Sequence, residues 1–228
     1  MEKEPQPQAS NTESQPPRRL FKEKLVLASA SPRRAEILRA VGWPFEALAV
    51  DIDETRREGE GAVAYVERLA REKAEAAAAR IDDERLVLGA DTVVVVDERV
   101  LGKPLDDAAA RSMLRLLSGR WHEVLTGVAL VSQGRQAHIV SEESEAHVIV
   151  AHQRTAVRFA SVTETEVDWY VASREPLDKA GAYAIQGRAA LFIEEIKGDY
   201  WNVVGLPIQL VYKLARRIQE ASDFGVQP

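Results

Sequence analysis

The sequence predicts an α/β protein built on a mixed, twisted sheet with flanking helices. Three observations point there. Strand-like and helix-like stretches alternate through the first half of the chain, as a helix-covered sheet requires. Hairpin-like strand pairs dominate the second half, so the sheet cannot be wholly parallel. And Leu86–Asp97, LVLGADTVVVVD, is apolar on both faces, as a central strand is.

The elements follow in order. The first residues, MEKEPQPQASNTESQPPRRL, are rich in Pro, Gln, Glu and Ser, and residues 1–22 read as a disordered tail before a single domain over residues 23–228. The tail has no apolar signal-peptide core. Leu25–Leu27 is a short apolar strand. Ser31 suits an N-cap and Pro32 a first helical position, so a helix starts there and runs to a stop at Gly42. Phe45–Val50 reads as a second strand, leading into the acidic residues Asp51, Asp53 and Glu54. After a break at Gly59–Gly61, Ala62–Arg80 is an alanine-rich helix with Val63, Val66, Ala70, Ala74 and Ala77 on its buried stripe. Leu86–Asp97 is the central strand, followed by a turn at Leu101–Pro104. Asp106 opens a helix that ends at Leu117, before Ser118-Gly119.

Further on, Trp121–Val131 and Ala137–Val150 read as strands joined at Gln133-Gly134, the second interrupted by Glu142–Glu145. Thr155–Val162 reads as another strand. Thr163 and Glu166 fit a capping box for a helix through about Ser173. Pro176–Gly187 is a glycine-bearing loop, and Leu191–Val204 reads as a hairpin turning at Lys197-Gly198-Asp199. A last helix follows Leu206-Pro207, with Ile208, Val211, Tyr212, Ala215 and Ile218 on one face.

Composition narrows the function. The 228 residues suffice for one sizeable core or two lobes. Acidic residues outnumber basic ones, 36 to 30, and the net charge of −6 argues against nucleic acid or an anionic membrane as a partner. With no cysteine, thiolate nucleophiles, disulfides and cysteine zinc sites are excluded, which fits a cytoplasmic protein. No apolar run approaches the roughly 20 residues of a membrane span.

Several polar residues break their local pattern. Arg33 and Arg34 lie in the first turn of a helix, where the dipole already places positive charge. With Ser29, Ser31 and the open backbone N–H groups they converge on one point, which suits a phosphate; solvated arginines are the plainer alternative. Lys73 borders an apolar stripe, where it either snorkels or reaches into a cleft. Asp91 interrupts a buried strand, a costly place for a carboxylate unless it is paired or metal-bound; the other reading is a bulge begun beside Gly89. Glu54 closes an acidic patch, Lys103 sits in a tight turn and Gln186 in a glycine loop. Together these offer cations for phosphates and carboxylates for a divalent metal such as magnesium. No GxxxxGK[ST] or HExxH occurs. His122, His138, His147 and His152 lack a metal spacing and read as sheet-surface residues.

The motifs LASASPRRAEIL, Asp53-Glu54, Arg71–Ala74, Gly89–Thr92, Gly102–Pro104, Leu117–Gly119, Tyr183–Gly187 and Asn202–Pro207, in that order, resemble the Maf family of nucleoside triphosphate pyrophosphatases. The resemblance covers nearly all of the chain but its N-terminal tail. It implies two lobes around a cleft, a fold related to the inosine triphosphate pyrophosphatases. It implies hydrolysis of a nucleoside triphosphate to monophosphate and pyrophosphate with Mg2+ or Mn2+, and a homodimer. By position, Ser29, Arg33, Arg34, Lys73 and Lys103 match phosphate-site residues, Glu54 an acidic site residue and Asp91 the proton acceptor. Asp91 and Glu54 are then the candidate metal ligands. Arg33, Thr92 and Gln186 match the triplet of the dTTP/UTP branch, whereas the 7-methyl-GTP branch carries Trp, Gln and Glu. A glutamine amide, with donor and acceptor, suits a uracil or thymine edge. The alternatives are the same fold acting on another nucleotide such as 7-methyl-GTP or a modified pyrimidine nucleotide, and a non-catalytic nucleotide-binding regulator of septum formation.

Overall fold

A computed structural model describes residues 24–83, 85–132 and 147–224. The N-terminal tail, the Gln133-Gly134 turn, His138 and the Glu142–Glu145 interruption lie outside the described residues.

A seven-stranded mixed sheet forms the frame. Its strands are β1 (Leu25–Leu27), β2 (Phe45–Ala47), β3 (Val87–Val96), β4 (Arg99–Leu101), β5 (Trp121–Ser132), β6 (His147–Phe159) and β7 (Ile193–Lys197), in the order β2-β1-β3-β5-β6-β7 with β4 against β3. The helices are α1 (Pro32–Ala40), α2 (Ala62–Ala78), α3 (Asp107–Leu117), α4 (Glu164–Ala172), α5 (Tyr200–Val204) and α6 (Ile208–Phe224). β1 runs parallel to β2 and β3; the pairs β3–β5, β5–β6 and β6–β7 are antiparallel. Among the described residues no helix is long and apolar enough to cross a membrane.

Caps act largely where the sequence places them. The Asp106 side chain accepts from the Ala109 N–H at 2.7 Å, and Thr163 and Glu166 form the full capping box. Ser31 differs: it occupies the N-cap position but its side chain caps nothing, and its own N–H bonds to Ser29 Oγ at 3.2 Å. The first-turn N–H groups of α1 thus have no side-chain acceptor.

Four further expectations change. β4 was not expected. It forms because Asp97 and Glu98, at φ 47° and 63°, make a tight hairpin turn without the usual Gly or Asn, and Arg120 holds the Asp97 carboxylate at 2.7 Å. β6 is a single long strand reaching Phe159, where two were expected, and it pairs with β5 from Trp121↔Arg158 to Ser132↔His147. The Leu191–Val204 hairpin is half right: β7 forms, but Asp199 caps the Trp201 N–H at 2.8 Å and turns the second half into α5. The Pro176–Gly187 loop carries short 3-10 turns at Glu175–Asp178 and Ala180–Ala182.

Gly89 marks no bulge. β3 keeps an unbroken register with β5 from Val87↔Val131 to Val95↔Glu123. The residue is glycine because α2 lies directly on the sheet there. A Cβ on Gly89 would fall 2.0 Å from Ala70 O, and one on Gly127 2.1 Å from Val66 O. Ala70, Ala74 and Ala77 are fully buried beneath this contact. On the opposite face the apolar core is split. One cluster joins β1, α1 and α6 (Leu25, Leu38, Leu206, Val211), and another joins α3, α4 and the far ends of β3, β5 and β6 (Val94, Leu114, Phe159, Tyr170).

Candidate active site

The cleft opens at a gap in the sheet. β1 pairs with β3 only at Val87 and Leu88, and β4 only from Val94 to Val96. Between them, residues 90–93 have a free edge. Strand side chains alternate in direction, so Asp91 leaves β3 toward α2 and Thr92 toward α1 and α6. At a free edge both can reach the same space. That space is a cleft of about 560 Å³. Ser29, Arg33, Arg34, Glu54, Lys73, Asp91, Thr92, Lys103 and Gln186 all line it.

On the α2 side, Lys73 does not snorkel. Its Nζ stands 2.6 Å from Asp91 Oδ1 and 2.6 Å from Glu54 Oε1. The close seating of α2 on Gly89 makes this reach possible, since Ala70 and Ala74 sit on either side of Lys73 along the helix. The pairing answers the cost of a carboxylate within a buried strand. Burial pushes the Glu54 carboxyl up, but the Lys73 ammonium bonded to it, aided by Lys103 and Arg34, holds it below its usual range.

On the other side, Arg34 turns inward and is buried. Its Nε donates to Gly205 O at 2.9 Å, one Nη to Ser29 Oγ at 3.0 Å and the other to Thr92 Oγ1 at 3.2 Å. Thr92 Oγ1 also lies 3.0 Å from Thr126 Oγ1, which bonds to Asn202 O at 3.3 Å. Burial lowers the guanidinium pKa, partly offset by Asp91. Arg33 takes the opposite course. It points across the cleft mouth to Asp178, with 3.5 Å between Nη1 and Oδ2. The two arginines, equivalent in the sequence reading, differ in surroundings: one is tied into the wall, the other stands on the rim.

The structure adds residues that the sequence reading passed over. Lys179 lines the cleft and is largely buried, paired with Asp178. Tyr65 and Tyr183 also line it. The signal for Lys179 was present, a lysine in the glycine-bearing loop, but nothing local told it from a surface lysine. His122 corrects an expectation: it is not on the sheet surface but 3% exposed, with Nε2 2.8 Å from Tyr183 Oη. Burial holds its pKa down to about 4. His147 and His152 lie on β6, and His152 pairs with Glu67 at 2.8 Å.

The charge pattern says what the cleft takes. Arg33, Arg34, Lys73, Lys103 and Lys179 face Glu54, Asp91 and Asp178, a local positive surplus in a chain of net charge −6. Such a surplus beside the open N-terminus of α1 suits a polyphosphate. Among the described residues no group of three or more His, Asp or Glu is placed to hold a metal ion. Glu54 and Asp91 do converge on one small cation, the Lys73 ammonium, so the oxygen donors fit a magnesium-like ion that takes its remaining ligands from phosphate and water.

Fold and cleft together define an α/β protein with a cation-rich cleft at a break in its sheet, beside a pair of carboxylates. The chain belongs to the Maf family: the model of Maf-like proteins matches residues 24–218. The dTTP/UTP pyrophosphatase of Symbiobacterium thermophilum is 49% identical over 203 residues, covering 89% of this chain and 95% of that one. The dTTP/UTP pyrophosphatase of Syntrophus aciditrophicus is 49% identical over 211 residues, covering 91% and 96%. Among solved structures, the Ham1 protein of Staphylococcus aureus aligns with a TM-score of 0.47 and 15% identity, covering 85% of this chain and 98% of that one. At that distance the architecture stands on the strand order described above, not on the likeness.

Proposed function

We propose that the protein hydrolyses dTTP and UTP to the monophosphate and pyrophosphate. The observation that carries this is the Glu54–Lys73–Asp91 cluster set in a cationic cleft, in a chain nearly half identical to two proteins named dTTP/UTP pyrophosphatases. Water attacks the α-phosphorus; its oxygen forms the new P–O bond, the α–β bridging bond breaks, and pyrophosphate leaves. Asp91 is the proton acceptor for that water. Arg33, Lys103 and Lys179 lie where they can offset charge on the β- and γ-phosphates, and Arg34 with the α1 N–H groups shapes the wall behind them. Lys73 stands between the two carboxylates, ion-paired to each, until substrate enters. Glu54 and Asp91 would hold Mg2+ or Mn2+, which supplies polarisation of the phosphate oxygens. Gln186, which also lines the cleft, would meet the base, and Thr92 acts through Arg34, to which it is hydrogen-bonded. The protein would act as a homodimer, to be read from its mass in solution.

Pyrophosphate release, measured across dTTP, UTP, CTP, ATP and 7-methyl-GTP with each metal, tests the reading. The expected outcome is the highest kcat/KM for dTTP and UTP. A preference for 7-methyl-GTP would move the protein to the other branch, and no release from any nucleotide would overturn the enzymatic reading.

A further inference from the structure

Glu54 reaches the site from a segment that the sheet does not hold. Between Asp51 and Glu60 the described backbone pairs only with itself, through the Glu60 N–H and Arg57 O at 3.1 Å. The Glu54 side chain is 52% exposed. What ties the segment down is one polar stripe of α2, at helical spacing: Tyr65, Arg68, Glu72 and Lys73. Tyr65 Oη donates to Glu54 O at 2.7 Å. Arg68 Nη2 donates to Thr55 O at 3.1 Å, so the two backbone carbonyls at and after Glu54 are each held by a side chain of α2. Arg68 also grips Glu60 through Nε at 2.6 Å and Nη2 at 2.9 Å, and Glu72 through Nη1 at 3.1 Å. Glu72 in turn takes Arg57 at 3.1 Å. The Arg68 and Glu60 side chains are only 12% and 9% exposed, unusual for an ion pair beside a loop. The Arg68 guanidinium lies over the Tyr65 ring, 5.6 Å from its centroid.

We propose that Arg68 and Tyr65 are positioning residues: a clamp that holds the Asp51–Glu60 segment on α2 and so sets the Glu54 carboxylate opposite Asp91. The inference rests on the proposed role of Glu54 in the reaction. It does not need the clamp to touch substrate. Arg68 serves the loop because its planar fork can take a carboxylate with two donors while a third N–H reaches a carbonyl, which lysine cannot do.

Two measurements on the full-length protein test the clamp. The first is amide hydrogen exchange without nucleotide. In Arg68→Met, exchange of the Arg57 and Glu60 amides, which donate to Glu60 Oε2 and Arg57 O, should rise about tenfold while β3 and β5 keep wild-type protection; Tyr65→Phe should show a smaller rise at the same amides. The second is dTTP hydrolysis. Arg68→Met should lower kcat about tenfold with KM changed less than about threefold, and in a Glu54→Gln background it should cost nothing further, because its effect passes through Glu54. Wild-type exchange in both variants, or a full additional loss in the Glu54→Gln background, would overturn the clamp. If the wild-type protein released no pyrophosphate at all, the proposed function would fall, while the exchange measurement would still decide whether the segment is held as described.

Discussion

Two buried polar clusters lie on opposite faces of β3, one residue apart in origin. From Asp91 a set of charges runs toward α2: carboxylate, ammonium, carboxylate. From Thr92 a set of mostly neutral partners runs the other way: two threonines, a serine, two backbone carbonyls and a single guanidinium. Each contains one cation from a helix, and each lines the same cleft. They differ in what a ligand can do to them. The Arg34 cluster is closed, with three of its cation's five N–H groups bonded to the protein. The Lys73 cluster is open at one end, because Glu54 arrives from a half-exposed loop. A cation tied on three sides to neutral partners fixes a shape, whereas an ion cluster with a loose member can exchange its partners for phosphate or metal. The difference separates a wall from the cluster proposed as machinery.

The sharpest way to break that distinction is Asp91→Asn. The amide keeps the shape of the side chain and can still accept from Lys73, but it cannot take a proton from water. Turnover of dTTP should fall on the order of a thousandfold, with the melting temperature changed by only a few degrees. Near-wild-type turnover would remove Asp91 from the machinery.

A third buried polar group sharpens the comparison by belonging to neither cluster. His122 touches Tyr183 through Nε2, but its buried Nδ1 has no partner. Its pKa is held at about 4 in the folded protein against an ordinary 6.5. Above pH 6.5 neither state carries the proton, so this histidine lends no pH dependence. Between about 6.5 and 4 the unfolded chain binds a proton that the folded one refuses, so stability falls as pH falls. The loss levels off below about pH 4, at on the order of 3 kcal/mol. Thermal unfolding from pH 7 to pH 4 in wild type and His122→Phe should show a shallower acid slope in the variant. Equal slopes would mean that His122 titrates normally in the fold.

Much of this was legible in the sequence, for a stated reason. Asp91, Lys73, Arg33, Lys103 and Gln186 stand out because each breaks a local pattern, and a break in a pattern is visible without coordinates. The central strand, the Asp106 cap and the Thr163–Glu166 capping box are local in the same sense. What was not legible depends on partners far along the chain. Nothing near Arg34 says that Gly205 and Thr92 will bind it while Arg33 faces out. His122 is covered by Phe159 and by Tyr183, the latter 61 residues away. β4 hides behind Asp97-Glu98, a two-residue turn at positive φ with no glycine to mark it and a Glu at its second position. The open edge of β3, which creates the cleft, follows from β1 being short and β4 starting late, a matter of register and not of composition.

The next effect in size concerns the wall. Arg34→Met removes a buried guanidinium and leaves Gly205 O, Ser29 Oγ and Thr92 Oγ1 short of a donor. The hydroxyls can re-pair in part, Thr92 with Thr126, so the cost should be about 2–3 kcal/mol. For a protein of this size that is a drop of roughly 5–10 °C in Tm. Arg34→Lys should recover little, since an ammonium cannot reach three acceptors in the plane of the fork. A Tm within a degree of wild type would show that the network does not hold the wall.

Its neighbour should behave in the opposite way. Arg33 meets Asp178 at 3.5 Å, with the Arg33 side chain 26% and the Asp178 side chain 65% exposed. A long, half-exposed pair of that kind contributes about 0–1 kcal/mol, so Arg33→Ala should change Tm far less than Arg34→Met. It should lower kcat/KM for dTTP roughly tenfold, because a cation on the cleft rim is lost to the triphosphate. The effect should also shrink as salt rises, since a rim charge is screened and a buried one is not. Unchanged kcat/KM in Arg33→Ala, or a Tm loss as large as that of Arg34→Met, would erase the division between rim and wall that separates these two adjacent arginines.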